Sequence, residues 1–265
     1  MAGATCPYPR ATAYIRGMGE GATRRQLLGF DDGVNRVVLF PGNPYGPPAL
    51  AVELIVNRLA RKIGAPVPDA GVVDVPAALL EGRESLQDLG AGLCFGARFY
   101  EQAINLADMN LPKLLSLVPD VGALAGVVVL DTWCWNVDRS ANPANLLVVS
   151  DDGRLRVLAI DHEQCLGGSG WLSLWETLRR WLWGDQAIYH EAFVPYLTPT
   201  NFSPYLNRLR DIEAHDIESV VSAVPREWRI TGRRKRKWLG ELVRRKTLTV
   251  DLIERKFFKG LQAVT

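Results

Sequence analysis

The segment from Asp131 to Asp161 constrains the fold of this chain more than any other stretch. An apolar helix is predicted to end at Trp135-Asn136, and a polar loop follows it. Asn145 to Val149 and Leu155 to Ile160 are then predicted as two short buried strands. Because Asp151-Asp152-Gly153 separates these apolar runs, the segment is typical of a β-hairpin.

Three side chains with oxygen donors lie around this predicted hairpin. Asp138 precedes it, Asn145 opens its first strand, and Asp161 follows its second strand. An antiparallel hairpin brings its start and its end together, so these side chains are expected to converge. Carboxylate and amide oxygens suit Mg²⁺, and a remaining carboxylate can act as a base. The pattern therefore indicates phosphoryl transfer, with ordinary turn formation by Asp and Asn as the alternative.

The strings NVDRSANPANLLV and VLAIDHEQCL resemble the catalytic and metal-binding segments of the HipA-like kinase family, part of the wider protein-kinase-like and lipid-kinase-like group. The resemblance implies an α+β, bilobal protein-kinase-like fold, with a small β-rich lobe over 1–102 and a larger helical lobe over 103–265. It implies that Asp138 is catalytic and that Asn145 and Asp161 hold metal. Asn142 is a second candidate ligand, since the loop is longer than in ordinary kinases.

A glycine-rich segment separates the first two predicted strands, Thr12–Gly17 and Arg24–Phe30. Glycines in such a turn let backbone N–H groups approach phosphates, although a plain loop is the alternative. Before a third strand over Arg36–Phe40, the segment fits the nucleotide-covering loop of a kinase. The candidate ATP-binding residues in it are Gly19, Gly21, Ala22 and Thr23.

A helix is predicted over Ala49–Ile63, with Gly64 ending it and Glu53 in its first turn. The string NPYGPPALAVELIVNRLARKIGAPVP is also similar to HipA-like kinases. In a kinase the equivalent helix carries a glutamate that pairs with a lysine on the third strand. Glu53 is therefore a candidate ATP-site residue, and an acidic residue that favours a helix start is its alternative.

The chain departs from the family at that strand lysine, because Leu39 stands where the pattern Val-Val-Lys-Phe is expected. Arg36 lies an odd number of residues away and is expected on the opposite face of the strand. Arg24 or Arg25 on the neighbouring strand are the candidate substitutes. Three outcomes follow: another cation replaces the lysine, catalysis is weakened, or the chain only binds nucleotide.

Further site residues come from the kinase-like pattern. A strand over Leu93–Tyr100 leads to the expected hinge, where Glu101 lies near the adenine position. Arg139 either contacts phosphate or forms a structural salt bridge, and His162 is an auxiliary candidate. The predicted helices of the large lobe are 111–117, 121–135, 171–183, 201–209, 212–224 and 237–258.

The charge of the chain is unevenly distributed, since 13 of its 31 Lys and Arg residues but only 4 of its 29 Asp and Glu residues follow residue 224. The basic run Arg233–Lys237 is interpreted as a solvated helix face rather than a nucleic-acid site. The spacing of Trp228 and Trp238 favours burial over base stacking.

The sequence also bears on location and partners. Its longest apolar run, Val121–Leu130, is too short for a membrane span, and no signal stretch opens the chain, so no membrane insertion is expected. Four widely spaced cysteines indicate a reducing cytosol, and the resemblance implies a bacterial, cytoplasmic protein. The expected partners are a nucleotide and an unidentified protein or small-molecule acceptor.

The leading hypothesis is a HipA-like kinase that uses ATP and Mg²⁺ to transfer the γ-phosphate to a hydroxyl, for example a Ser or Thr of a protein. The alternative is a pseudokinase, a nucleotide-binding or protein-interaction module, and Leu39 is its main support. A third hypothesis is a metal-dependent hydrolase that uses Asp138, Asp161 and His162.

Overall fold

The computed structural model describes a large part of the chain at the residue level. The described residues are 7–19, 23–105, 116, 118, 120–136, 138–139, 145–151, 153–167 and 196–255. Gly21, Ala22 and Asn142 lie outside them, as does the predicted helix 171–183 and all of 111–117 except residue 116.

The N-terminal half contains a five-stranded antiparallel sheet and one long helix. The strands are β1 (Ala11–Gly17), β2 (Gln26–Phe30), β3 (Arg36–Leu39), β4 (Ala70–Val75) and β5 (Gly92–Arg98), in the order β1-β2-β3-β5-β4. Helix α1 (Pro47–Ile63) connects β3 to β4, and short 3₁₀ turns lie between β4 and β5.

Helix α1 begins two residues earlier than predicted, because proline is well accommodated in the first turn of a helix. Its first turn carries no acidic residue, so the placement of Glu53 there was wrong; Glu53 lies in the second turn. Gly64 ends the helix in the left-handed conformation with φ 76°, as predicted. The position of Glu53 is therefore not explained by a preference for the helix start.

The C-terminal half combines a small sheet with helices. Its elements are β6 (Ile104–Asn105), α2 (Ala123–Cys134), β7 (Leu146–Asp151), β8 (Arg154–Ala159), α3 (Pro199–Asp211), α4 (Ala214–Ser222) and α5 (Gly232–Ile253). The predicted hairpin is confirmed as the antiparallel pair β7–β8, with β6 along β7. Asp151 was expected in the turn but pairs with Arg154 as the last residue of β7, so the turn is shorter.

One cluster of buried apolar side chains extends through both halves of the chain. It runs from Leu39 and Phe95 on the inner face of the first sheet, through α1, into helices α2 to α5. Helix α1 contacts β4 and β5 on one side and α2, α3 and α4 on the other, so 12 of its 17 residues are buried. A smaller cluster on the outer face of the sheet is covered by the 77–89 segment.

The C-terminal basic run lies at the start of α5, where its side chains are exposed or half-buried. Trp228 and Trp238 are buried, as their spacing predicted. Within the described residues, no helix is both long and apolar enough to cross a bilayer.

Candidate active site

Asp138 and Asn145 are joined by a hydrogen bond at the open end of the β7–β8 hairpin. Nδ2 of Asn145 donates to Oδ2 of Asp138 at 2.8 Å. An ionised carboxylate only accepts hydrogen bonds, so the amide nitrogen must be the atom that faces Asp138. Oδ1 of Asn145 receives no hydrogen bond from the described residues and is therefore available to a metal ion.

Asp161 is the second residue after β8, and its backbone lies close to that of Asn145 at the open end of the hairpin. The register pairs Leu146 with Ala159, and the backbone N of Ile160 donates to the carbonyl of Asn145 at 3.0 Å. Asp161 has φ 60°, in the left-handed region that aspartate tolerates better than most side chains. Unusual backbone conformations of this kind cluster at functional sites.

Arg139 anchors the backbone on both sides of the hairpin's open end. Its Nε donates to Oδ2 of Asp131 at 2.7 Å, and Nη1 donates to the carbonyls of Asn145 at 2.5 Å and Ile160 at 2.8 Å. The side chains of Arg139 and Asp131 are only 1% and 3% exposed. These contacts fit the structural salt bridge, one of the two roles that the sequence left open.

Asn136 links the same buried pair to the loop that carries Asp138. Its Nδ2 donates to Oδ1 of Asp131 at 3.1 Å. Its Oδ1 accepts from the backbone N of Asp138 at 3.1 Å and of Arg139 at 3.3 Å. Asn136, two residues after α2, thereby holds the backbone at Asp138 through side-chain hydrogen bonds.

Arg25 is the centre of a charged cluster between the two halves of the chain. Its Nη2 lies 2.6 Å from Oε1 of Glu53, 2.8 Å from Oδ1 of Asp161 and 2.9 Å from Oε2 of Glu163. Its Nε donates to Oγ1 of Thr23 at 3.2 Å. One guanidinium thus connects the segment before β2, helix α1 and the segment after β8.

The position of Arg25 follows from the strand register. Gln26 at the start of β2 pairs with Val38 of β3, so Arg25, one residue earlier, lies opposite Leu39. The hydrogen bonding between β1 and β2 also extends to Arg25, because the backbone N of Met18 donates to the carbonyl of Arg25 at 3.0 Å. Directly opposed residues point to the same face of a sheet. Arg25 and Leu39 therefore both face α1, and Leu39 is fully buried there.

The other two arginines considered in the sequence point elsewhere. Arg24 has φ 51° and binds the carboxylate of Asp88 near the surface. Arg36 binds Asp32 and stacks on the ring of Phe30, on the opposite face of β3, as its spacing predicted.

The carboxylates around Arg25 differ strongly in their pKa values. Burial alone would raise the pKa of Glu53, but the charge of Arg25 and contacts with His162 outweigh burial and lower this pKa to about 2. Burial and the nearby charge of Asp161 raise the pKa of Glu163 to about 8. Glu53 is therefore the carboxylate of this cluster whose charged form is favoured most strongly by Arg25.

His162 supports Glu53 from a second side. Its Nδ1 lies 3.4 Å from Oε2 of Glu53, and its side chain is buried. Its Nε2 has no hydrogen-bond partner within the described part of the chain. His162 thus contacts the α1 glutamate directly.

Three carboxylates are close enough to share one metal ion. A ligand oxygen from each of Glu53, Asp161 and Glu163 lies within 4.8 Å of the others. Burial raises the pKa of Asp161, and the negative charges of Glu53 and Asp138 raise it further. Asp138 is therefore close enough to Asp161 for the two carboxylates to interact electrostatically. Glu163 was missed in the sequence, although its place two residues after Asp161 was a usable signal.

The remaining predicted site residues do not all lie in the cluster around Arg25. Gly19 is exposed with φ 88°, a conformation suited to glycine, and Thr23 is buried against Arg25. Glu101 is exposed in a turn after β5. The roles of Gly21, Ala22 and Asn142 stay predictions, because these residues lie outside the described part of the chain.

Comparison with solved structures places this architecture among protein kinases. The crystal structure of the Helicobacter pylori proinflammatory kinase CtkA matches with a TM-score of 0.62 at 15% identity, covering 96% of this chain and 99% of CtkA. A crystal structure of the Golgi casein kinase matches with a TM-score of 0.51 at 12% identity, covering 93% of this chain and 74% of that chain. The two-lobed α+β fold is therefore kinase-like, as predicted.

The sequence itself gives a more specific assignment. A model of the HipA-like kinase family matches residues 14–258. This chain belongs to the HipA-like kinase family, which confirms the resemblance noted for NVDRSANPANLLV and VLAIDHEQCL. A search of curated protein sequences finds no significant match.

Proposed function

We propose that this chain is an active Mg-ATP-dependent phosphotransferase that transfers the γ-phosphate to a hydroxyl. The observation that carries the proposal is the hydrogen bond between Asn145 and Asp138. Asn145 pairs through its backbone with Ile160, the residue before Asp161. The hydrogen bond to Asp138 orients a candidate base and leaves the amide oxygen of Asn145 without a hydrogen-bond partner among the described residues.

The donor set suits a hard divalent cation. Oδ1 of Asn145 and the carboxylate of Asp161 are the proposed ligands, with Glu163 as an additional one, and all three supply oxygen. Bound Mg²⁺ supplies positive charge to the phosphate oxygens. Asp138 accepts the proton of the attacking hydroxyl, and its hydrogen bond from Asn145 holds the carboxylate in position.

The nucleotide contacts are proposed from the family resemblance. Gly19, Gly21, Ala22 and Thr23 are the proposed phosphate-contacting residues, and Glu101 is the proposed contact for the adenine. Glu53 acts through the cation that it binds rather than on the nucleotide.

Calorimetry of Mg-ATP binding tests the proposal. We expect magnesium-dependent binding to the native protein and its loss in Asp161→Asn, a nearly isosteric change that also tolerates positive φ. Asp138→Asn should retain binding but abolish phosphate transfer to the chain itself or to a dephosphorylated protein acceptor. Absence of binding at millimolar nucleotide would refute the proposal.

The second candidate function is a pseudokinase, which Leu39 favours because the third strand carries no cation at that position. This candidate predicts Mg-ATP binding without ADP formation in the native protein, whichever acceptor is offered. A hydrolase would instead release phosphate without any acceptor. His162 is poorly suited to activating water for it, because the ring is buried against Glu53.

A further inference from the structure

We infer that Arg25 is the phosphate-binding cation of this site, moved from β3 to the directly opposed position before β2. The inference rests on the proposed function and adds a residue to it. Leu39 would then mark a relocation of the positive charge rather than its loss.

The first support is the identity of the partner. The ion pair that a kinase forms between its strand lysine and the helix glutamate is here formed by Arg25 and Glu53, at 2.6 Å. Arg25 reaches Glu53 because it shares a sheet face with Leu39, which packs toward α1. The same glutamate is thus paired from the neighbouring strand.

The second support is that the nitrogens of the Arg25 guanidinium have different partners. Nε is bound by Thr23, and Nη2 is bound by the three carboxylates. Nη1 has no hydrogen-bond partner among the described residues, and the side chain is 18% exposed. A guanidinium can therefore keep its carboxylate partners on one nitrogen and offer another nitrogen to a phosphate oxygen.

The third support is the local charge. The negative charges of Glu53 and Asp161 would repel a nucleotide phosphate unless a fixed cation stood beside them. Within the described part of the chain, Arg25 is the only Lys or Arg that forms an ion pair with any of them. An anionic ligand next to Asp161 therefore depends on Arg25 together with the metal.

A charge-swap experiment tests the inference. The variants are Arg25→Leu, Leu39→Lys and the double variant Arg25→Leu/Leu39→Lys, which returns a cation to β3. Arg24→Leu is the matched control, because the adjacent arginine binds Asp88 near the surface. Thermal denaturation verifies folding, and calorimetry measures affinity for Mg-ATP and for adenosine.

We expect Arg25→Leu to weaken Mg-ATP binding by roughly 10- to 100-fold, the effect of one charge-assisted hydrogen bond, while the affinity for adenosine stays unchanged. The double variant should recover part of the Mg-ATP affinity, and Arg24→Leu should resemble the native protein. Because the swap restores a cation beside Glu53, it also keeps the test decisive if Arg25→Leu folds poorly.

Two results would overturn the inference. One is native Mg-ATP affinity in a folded Arg25→Leu protein, and the other is equal loss of ATP and adenosine binding with no recovery in the double variant. Either result leaves the proposed function intact if Asp161→Asn still abolishes binding. A native protein that binds no Mg-ATP would remove both proposals.

Discussion

Replacement of Arg139 by methionine should destabilise the protein far more than the loss of an ordinary ion pair. Arg139 and Asp131 are almost completely buried and lie 2.7 Å apart, so Arg139→Met leaves a carboxylate without its cation in the interior. Removing one partner of such a pair costs about 3–5 kcal/mol. The carbonyls of Asn145 and Ile160 also lose a donor, which favours the upper part of this range.

The assay is urea denaturation followed by tryptophan fluorescence, with Arg61→Met as the matched control. Arg61 and Asp69 form an ion pair at 2.9 Å with both side chains more than half exposed, so this change should cost about 1 kcal/mol or less. Adding Asp131→Asn to Arg139→Met should cost less than the sum of the two single changes, because no buried charge then remains unpaired. A loss for Arg139→Met no larger than that for Arg61→Met would refute the reasoning.

Further predictions concern the metal site, packing and thiol reactivity. Glu163→Gln should raise the Mg²⁺ concentration needed for half-maximal ATP binding, since one carboxylate ligand is lost; an unchanged titration would contradict this role. Gly126→Ala should destabilise the protein by about 1–3 kcal/mol, because its Cβ would lie 2.5 Å from the ring of Tyr205, whereas Gly240→Ala in open space on α5 should stabilise it by about 0.5–1 kcal/mol, both measured by denaturation. Burial raises the pKa of Cys165, so alkylation mapped by mass spectrometry should reach this thiol only in denaturant.

The hairpin was predictable because local rules determine it. Two short apolar runs on either side of Asp-Asp-Gly favour a hairpin, and antiparallel pairing brings the backbone of Asn145 close to that of Asp161. The start of α1 was two residues off because the first turn accepts proline, and this error changed the interpretation of Glu53.

The choice between Arg24 and Arg25 was not predictable from the sequence. It depends on the register of β2 against β3 and on the positive φ of Arg24, both of which are properties of the folded sheet. The burial of Arg139 was equally out of reach, since the spacing to Asp131 is compatible with either a buried pair or an exposed one. Contacts between distant segments decide these cases, and no local pattern encodes them.

The buried cluster that extends from the first sheet to α5 has a consequence for cooperativity. Polar contacts reinforce this continuity, because Nε1 of Trp228 donates to the carbonyl of Leu93 at 2.7 Å and Nζ of Lys62 lies 2.8 Å from Asp216. Unfolding of either half would expose apolar surface that belongs to the other half. We therefore expect one melting transition rather than two. Ligand binding at Arg25 would then raise the melting temperature of the entire chain, and a simple thermal shift would report site occupancy before any acceptor is identified.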